Sequence, residues 1–237
     1  IWSGGFAKKE IADRIFAVAP EARILVTIRE QKSLIQSSYD HFLWCGGLAS
    51  IDKYLGSYNE FQVPLFNRAH LRYDRTVAFY QQLFGPRRVL VLASEDFRDR
   101  PARFLRQLTD FAELAPLDDR KLRHTERVNH RGAAVAALHH WLRPLNLLGS
   151  PNNLNGRFGF GSTRLWREAV RRVAPAVPGV LARRREASLR ARIERLIGNE
   201  YASSNARLAE LTGIDLARLG YAMPAVAEGP ALALAAE

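Results

Sequence analysis

The chain has almost no cysteine and no long apolar run, and both absences limit what it can be. Cys45 is the single cysteine among 237 residues, so an intrachain disulfide is impossible and nothing requires an oxidising compartment. No apolar stretch is long enough to cross a bilayer, no segment has the form of a signal peptide, and no zinc-ligand spacing occurs. These absences predict a cytoplasmic protein without a transmembrane segment or a bound metal.

Lysine is also scarce, although the chain is strongly basic. The formal net charge is +11, and arginine supplies nearly all of the positive charge because lysine occurs only at Lys8, Lys9, Lys32, Lys53 and Lys121. Arginine suits planar, bidentate capture of phosphate, sulfate or carboxylate, so an anionic cofactor or acceptor, nucleic acid and a membrane surface are all open. A solvated basic surface explains the total charge more simply. A hydrophobic content of 47% predicts one domain with a sizeable core.

The segment 23–42 organises the chain. An apolar, β-branched run of strand length, residues 23–28, is followed by a charged break and then by helical spacing. Arg29 is therefore expected where a buried strand stops, and Ser37 about two turns into the next helix. In open α/β sheets, ligands bind at the carboxyl ends of the strands, and helix N-termini there favour anions, so this pair would clamp a phosphate. The alternative is a strand–helix junction in which Arg29 only caps carbonyls or pairs with Glu30.

Regular elements are predicted on both sides of this segment. A second buried strand is expected at 88–93, after a Gly85-Pro86 turn. Local pattern predicts further helices at residues 7–18, 51–58, 71–84, 133–148, 164–173 and 183–197. One aromatic group could stack on sugar rings, but helical spacing favours a place in the core for its members: Phe42, Trp44, Tyr54 and Tyr58.

The pair Arg29 and Ser37, eight positions apart after an apolar strand, resembles the 3′-phosphate-binding segment of sulfotransferases. Those enzymes use 3′-phosphoadenosine 5′-phosphosulfate (PAPS). The run ILVTIREQKSLIQSSY looks especially like the bacterial and carbohydrate-type members. The dipeptide Glu95-Asp96 after the second strand matches a further feature of the family, and the resemblance implies that it holds the strand–helix junction.

Two later stretches also follow the order of that family. The resemblance implies that a basic loop, residues 127–132, closes over the 3′-phosphate through Arg131 and Gly132, with Arg127 beside them. The stretch 201–221 is similar to the family's C-terminal signature, whose apolar residues return to the core. The predicted sulfotransferase domain therefore covers residues 1–221, and residues 222–237 are expected to form a disordered tail.

The resemblance implies a fold, a reaction and a partner. The fold would be a three-layer α/β/α domain around a parallel sheet, of the P-loop nucleotide-kinase-like kind. The reaction would transfer a sulfuryl group from PAPS to an acceptor hydroxyl on a carbohydrate or glycolipid, releasing adenosine 3′,5′-bisphosphate without a metal. No general base is assigned; His41, one turn beyond Ser37 on the same helical face, is the nearest candidate. The family's lysine-bearing phosphosulfate loop is not in this sequence, so we expect a missing N-terminus and a fragment that is inactive alone.

Two other classes of function stay open. A non-catalytic basic module would bind an anionic polymer or nucleic acid. The basic helices lack the aromatic residues on which bases stack, so no nucleic-acid partner is expected. A P-loop kinase-like phosphotransferase would need a Walker lysine upstream, and it has no reason to keep the Arg29–Ser37 pair.

Overall fold

The computed structural model describes residues 5–45, 47, 49–58, 64–115, 133–142 and 162–225, with side chains from residue 9 and, in the last segment, from residue 168. This part of the chain is mostly helical, with two strands, β1 (Ile24–Ile28) and β2 (Val89–Ala93). The α-helices within it are α1 (Gly5–Val18), α2 (Gln31–Trp44), α3 (Ile51–Gly56), α4 (Tyr73–Phe84), α5 (Ser94–Asp99), α6 (Pro101–Ala112), α7 (Ala133–Leu142), α8 (Ser162–Val173), α9 (Gly179–Ile197) and α10 (Ala202–Thr212).

The two strands form a parallel sheet, in which Ile24 lies opposite Val89 and Ile28 opposite Ala93. Parallel strands need a long crossover, and here helices α2 to α4 supply it. The expected α/β class with a parallel sheet is thus present in the described residues. The larger three-layer, nucleotide-kinase-like arrangement stays a prediction, because two strands do not define it.

Strand β1 is only half buried, which corrects the expectation of a buried strand. Burial alternates along it: Ile28 is 1% exposed, whereas Leu25 is 41% exposed and Thr27 is also exposed. Successive side chains of a strand point to opposite faces, and one face of β1 lacks cover in the described part of the chain. Strand β2 does match the expectation, since every residue in it except Leu90 is buried.

The covered face of the sheet packs against α4 and α10. Ile28 and Val91 from the sheet meet Val77 of α4 and Leu208 of α10 in one apolar cluster. The turn after α10 returns Leu216 to the same cluster, so the predicted packing role of the stretch 201–221 is confirmed. Burial of each such aliphatic side chain stabilises the fold by about 1.5–3 kcal/mol.

A second apolar cluster joins α2, α3 and α9. Tyr39 of α2 and Tyr54 of α3 are almost fully buried and lie with ring centroids 5.4 Å apart, and Ile193 of α9 closes the cluster. The aromatic group therefore divides: Tyr54 belongs to the core, as favoured by its spacing, whereas Tyr58 is 63% exposed.

Helix boundaries follow the local chemistry of the sequence. Helix α4 ends at Phe84 because the next residue, Gly85, has a φ of 82° and a ψ of 147°, a conformation nearly confined to glycine. Pro86 then begins a short 3₁₀ turn into β2. Helix α3 ends at Gly56, two residues before the predicted end. None of the helices that the structure describes is both long and apolar enough to cross a membrane.

Candidate functional site

Arg29 lies immediately after β1, at the carboxyl end of the parallel sheet, and is exposed. Its backbone carbonyl accepts a 2.8 Å hydrogen bond from the hydroxyl of Tyr73 at the start of α4. The alternative in which Arg29 pairs with Glu30 is not found, since no carboxylate in the described part of the chain lies within ion-pair distance of the Arg29 guanidinium. Tyr73 therefore holds the backbone carbonyl of Arg29, while the guanidinium of Arg29 is available to bind an anion.

Glu30 caps the N-terminus of α2. Its carboxylate accepts hydrogen bonds from the backbone N–H groups of Lys32, at 2.9 Å, and Ser33, at 2.7 Å. These are two of the donors that a helix start leaves unsatisfied. They are no longer available to an anion, so side chains such as those of Arg29 and Ser37 would have to supply most of the contacts to a phosphate at this junction.

Gln31 is a buried polar residue that anchors the same junction. Its side-chain amide donates to Oδ1 of Asn205 at 2.5 Å and accepts from Nδ2 of Asn205 at 3.3 Å. Asn205 also donates to the carbonyl of Ala222 at 2.9 Å. Sequence reasoning missed this pair, because nothing local links two amides 174 positions apart.

Glu95 joins the ends of the two strands. One carboxylate oxygen accepts the backbone N–H of Glu30 at 3.0 Å, and the other accepts the hydroxyl of Tyr221 at 3.3 Å. The Glu95 carboxylate therefore connects Glu30, the N-cap of α2, to Tyr221 in the turn that follows α10. This contact supports the structural role expected for the Glu95-Asp96 dipeptide.

Asp96, the next residue, connects the same strand–helix junction to the start of α6 and to the turn that follows α10. Its carboxylate lies 2.8 Å from the guanidinium of Arg100 and 3.0 Å from that of Arg218. Burial opposes ionisation of Asp96, but the hydrogen bonds and charges of the two arginines outweigh it and hold its pKa below the ordinary value. Asp96 is thus committed to ion pairs.

Tyr73 and Tyr221, which form hydrogen bonds at this junction, are both kept in the neutral, hydrogen-donating form. Burial raises the pKa of Tyr73 and of Tyr221 above the ordinary value, and the nearby Glu95 carboxylate raises both further. Each hydroxyl therefore remains a donor to its acceptor at physiological pH. Neither tyrosine is available as a base.

Ser37 lies on the exposed face of α2, in line with Ser33 and one turn before His41. The helical rise places Ser37 about 9 Å along the axis from the first residue of α2. His41 is half-buried, and its Nε2 lies 3.6 Å from Sγ of Cys45, the residue that follows α2. The role of His41 as a base stays a prediction.

The other candidate residues are not tested. Arg127, Arg131 and Gly132 lie outside the described residues. Among the side chains that are described, no group of three or more histidine, cysteine, aspartate or glutamate residues could hold a metal ion.

A second basic surface lies at the opposite end of the sheet. A cleft of about 730 Å³ is lined by Arg23, Arg87, Arg88, Phe111 and other residues where β1 and β2 begin. Arg23 is ion-paired with Glu113, and Arg88 is ion-paired with Glu21. Two of the three arginines are therefore ion-paired, whereas Arg87 is exposed and has no ion pair among the described residues.

Comparison with models of known protein families gave no match, and comparison with curated protein sequences gave none either.

Proposed function

We propose that this chain is part of a PAPS-dependent sulfotransferase. One observation carries the proposal: Tyr73 holds the backbone carbonyl of Arg29, and Glu95 and Asn205 hold the next two residues of the chain. The guanidinium of Arg29 is exposed and has no ion-pair partner among the described residues. A held backbone with an unpaired planar cation suits recognition of a phosphate, because the backbone does not have to be ordered when the anion binds. Ser37, on the exposed face of α2, would supply a second hydrogen-bond donor.

The residues present fit the adenosine 3′-phosphate end of the cofactor. Arg29 would hold that phosphate bidentately, and the hydroxyl of Ser37 would donate to it. Arg127, Arg131 and the backbone at Gly132 are proposed to close over it. When bound, PAPS supplies an activated sulfuryl group for transfer to a hydroxyl. This chain's contribution to the reaction is to fix the position of the nucleotide end and to offset its charge.

The proposed acceptor is a hydroxyl of a carbohydrate or glycolipid, and the proposed fold is the three-layer sulfotransferase fold. Transfer also needs the lysine-bearing phosphosulfate loop of this family, which the printed sequence does not contain. Nucleotide binding is therefore a sharper test than turnover, because Arg29 and Ser37 are both present.

The test is calorimetric titration with adenosine 3′,5′-bisphosphate, with adenosine 5′-monophosphate as the ligand that lacks the 3′-phosphate. We expect preference for the bisphosphate, and a loss of about 10- to 100-fold in its affinity in Arg29→Ala, since a charged hydrogen bond contributes about 1.5–3 kcal/mol. Ser37→Ala should lose less. Arg106→Ala, an exposed arginine on α6, is the matched control and should bind normally.

Equal binding of the two nucleotides, or an Arg29→Ala variant that binds like the parent, would contradict the proposal. The second candidate, a basic module for an anionic polymer, is favoured by the net charge of +11. It predicts steep salt dependence and indifference to the 3′-phosphate.

A further inference from the structure

The junction between α8 and α9 combines exposed aliphatic side chains with arginines. Residues 169–185 contain no aspartate or glutamate and five arginines. We name as the junction surface the following exposed residues of this stretch: Arg171, Arg172, Val173, Val180, Leu181, Arg183 and Arg184. It lies apart from the Arg29 site in sequence and belongs to different helices.

The aliphatic members of this surface are unusually exposed. Val173 is 54% exposed, Val180 52% and Leu181 43%. A single exposed aliphatic residue needs no explanation, but here three lie within nine positions of one helix–helix turn, and we call these three residues the tip. Pro175 and Pro178 between them are exposed as well.

The tip is fixed to the body of the protein. Between the exposed residues, Ala174 is 4% exposed and packs in a small apolar cluster with Val170 of α8 and Leu138 of α7. On the other side, Ala182 in the first turn of α9 is 2% exposed. The aliphatic side chains are therefore presented by an anchored turn.

The charges around the tip have one dominant sign. Arg171 and Arg172 approach Glu168 at 3.5 and 3.3 Å, whereas Arg183 and Arg184 have no ion pair in the described part of the chain. Four exposed arginines less one carboxylate leave a local charge of +3. Arg185 does not contribute, since it is 7% exposed and paired with Asp40 at 2.6 Å.

We propose that the junction surface docks the protein on an anionic lipid bilayer. The aliphatic tip would enter the boundary between headgroups and acyl chains, and the arginines would meet lipid phosphates around it. A soluble polyanion would engage the arginines alone and would leave the tip in water. The combination of both groups on one anchored turn is what favours a bilayer, and it accounts for residues that the nucleotide site does not use.

The test is co-sedimentation of the protein with vesicles of phosphatidylcholine alone and with vesicles containing about one-third phosphatidylglycerol, whose surface attracts basic segments. We expect binding to the anionic vesicles only. Val180→Ser with Leu181→Ser should reduce binding about tenfold or more, because the apolar transfer is lost. Arg183→Gln with Arg184→Gln should reduce it about fivefold for each arginine. Arg103→Gln with Arg106→Gln on α6 removes the same charge elsewhere and should bind as the parent does.

Three results would overturn the proposal: no binding of the parent protein to anionic vesicles, full binding by the variant without the aliphatic tip, or an equal loss in the α6 control. Full binding without the tip would show a purely electrostatic contact with polyanions. Thermal unfolding of each variant should match the parent, since all the substituted residues are exposed.

Discussion

The hydroxyl of Tyr73 donates a 2.8 Å hydrogen bond to the backbone carbonyl of Arg29. Tyr73 begins α4, and Arg29 directly follows the β1 strand against which that helix packs. The contact therefore couples the position of the proposed phosphate-binding arginine to the sheet's main covering helix. Glu95 and Asn205 hold the next two residues of the junction from other elements.

Replacing Tyr73 by phenylalanine removes that hydrogen bond and keeps the ring. We expect a loss of about 1 kcal/mol in the free energy of unfolding, as for one hydrogen bond, and a several-fold weaker affinity for adenosine 3′,5′-bisphosphate. Urea unfolding and calorimetry measure the two effects. The control is Tyr80→Phe on the same helix, which should leave nucleotide affinity unchanged; unchanged affinity in Tyr73→Phe would show that the contact does not position Arg29.

Glu95 should be more important for stability than any exposed carboxylate. Glu95→Leu leaves the N–H of Glu30 and the hydroxyl of Tyr221 without their acceptor, and we expect a loss of about 2–3 kcal/mol in the free energy of unfolding. Glu95→Gln retains one acceptor oxygen and should lose about half of that. A chemical-denaturation series with Glu210→Gln as the exposed control measures this, and equal effects of Leu and Gln would argue against the bridging role.

The buried amide pair Gln31 and Asn205 should behave as a unit. Gln31→Leu or Asn205→Leu alone leaves a buried amide unsatisfied, at a loss of about 1–3 kcal/mol in the free energy of unfolding. In the double variant no such amide remains, so its loss should be smaller than the sum of the two single losses by about 1 kcal/mol. Additive losses in a double-mutant cycle would mean that the two side chains act separately.

Stability should fall at alkaline pH because several tyrosines are buried. Burial raises the pKa of Tyr201 to about 12, and it also raises the pKa of Tyr54, Tyr73 and Tyr221. A tyrosine whose folded pKa exceeds the unfolded value of about 10 contributes stability that is complete below pH 10 and is lost as the pH rises toward 12.

Unfolding free energies measured between pH 9 and pH 12 should therefore decline steeply above about pH 10, together with the appearance of tyrosinate absorbance. Tyr201→Phe removes one of the titrating groups and should make the decline shallower. The same slope in the parent and in this variant would count against a buried, neutral Tyr201.

Local pattern was sufficient to place most elements. The strand predicted at 23–28 is observed at Ile24–Ile28, and the strand predicted at 88–93 is observed at Val89–Ala93. Both runs are apolar and bounded by charged or turn residues, so neighbouring residues along the chain decide where they begin and end. The helix that carries Ser37 follows the same logic, since Glu30 supplies its cap within three residues.

The sequence by itself determined that a strand, an arginine and a serine-bearing helix follow one another, because that order depends on residues only a few positions apart. Only the tertiary structure decided that the Arg29 backbone is fixed and its side chain free. Tyr73 of α4 holds Arg29 itself from 44 positions along the chain, and Glu95 of α5 and Asn205 of α10 hold the next two residues from 65 and 174 positions away. Contacts at such separation depend on how the helices pack. Hydrophobic periodicity predicts which face of a helix is buried, but it does not predict which polar residue that face will contact.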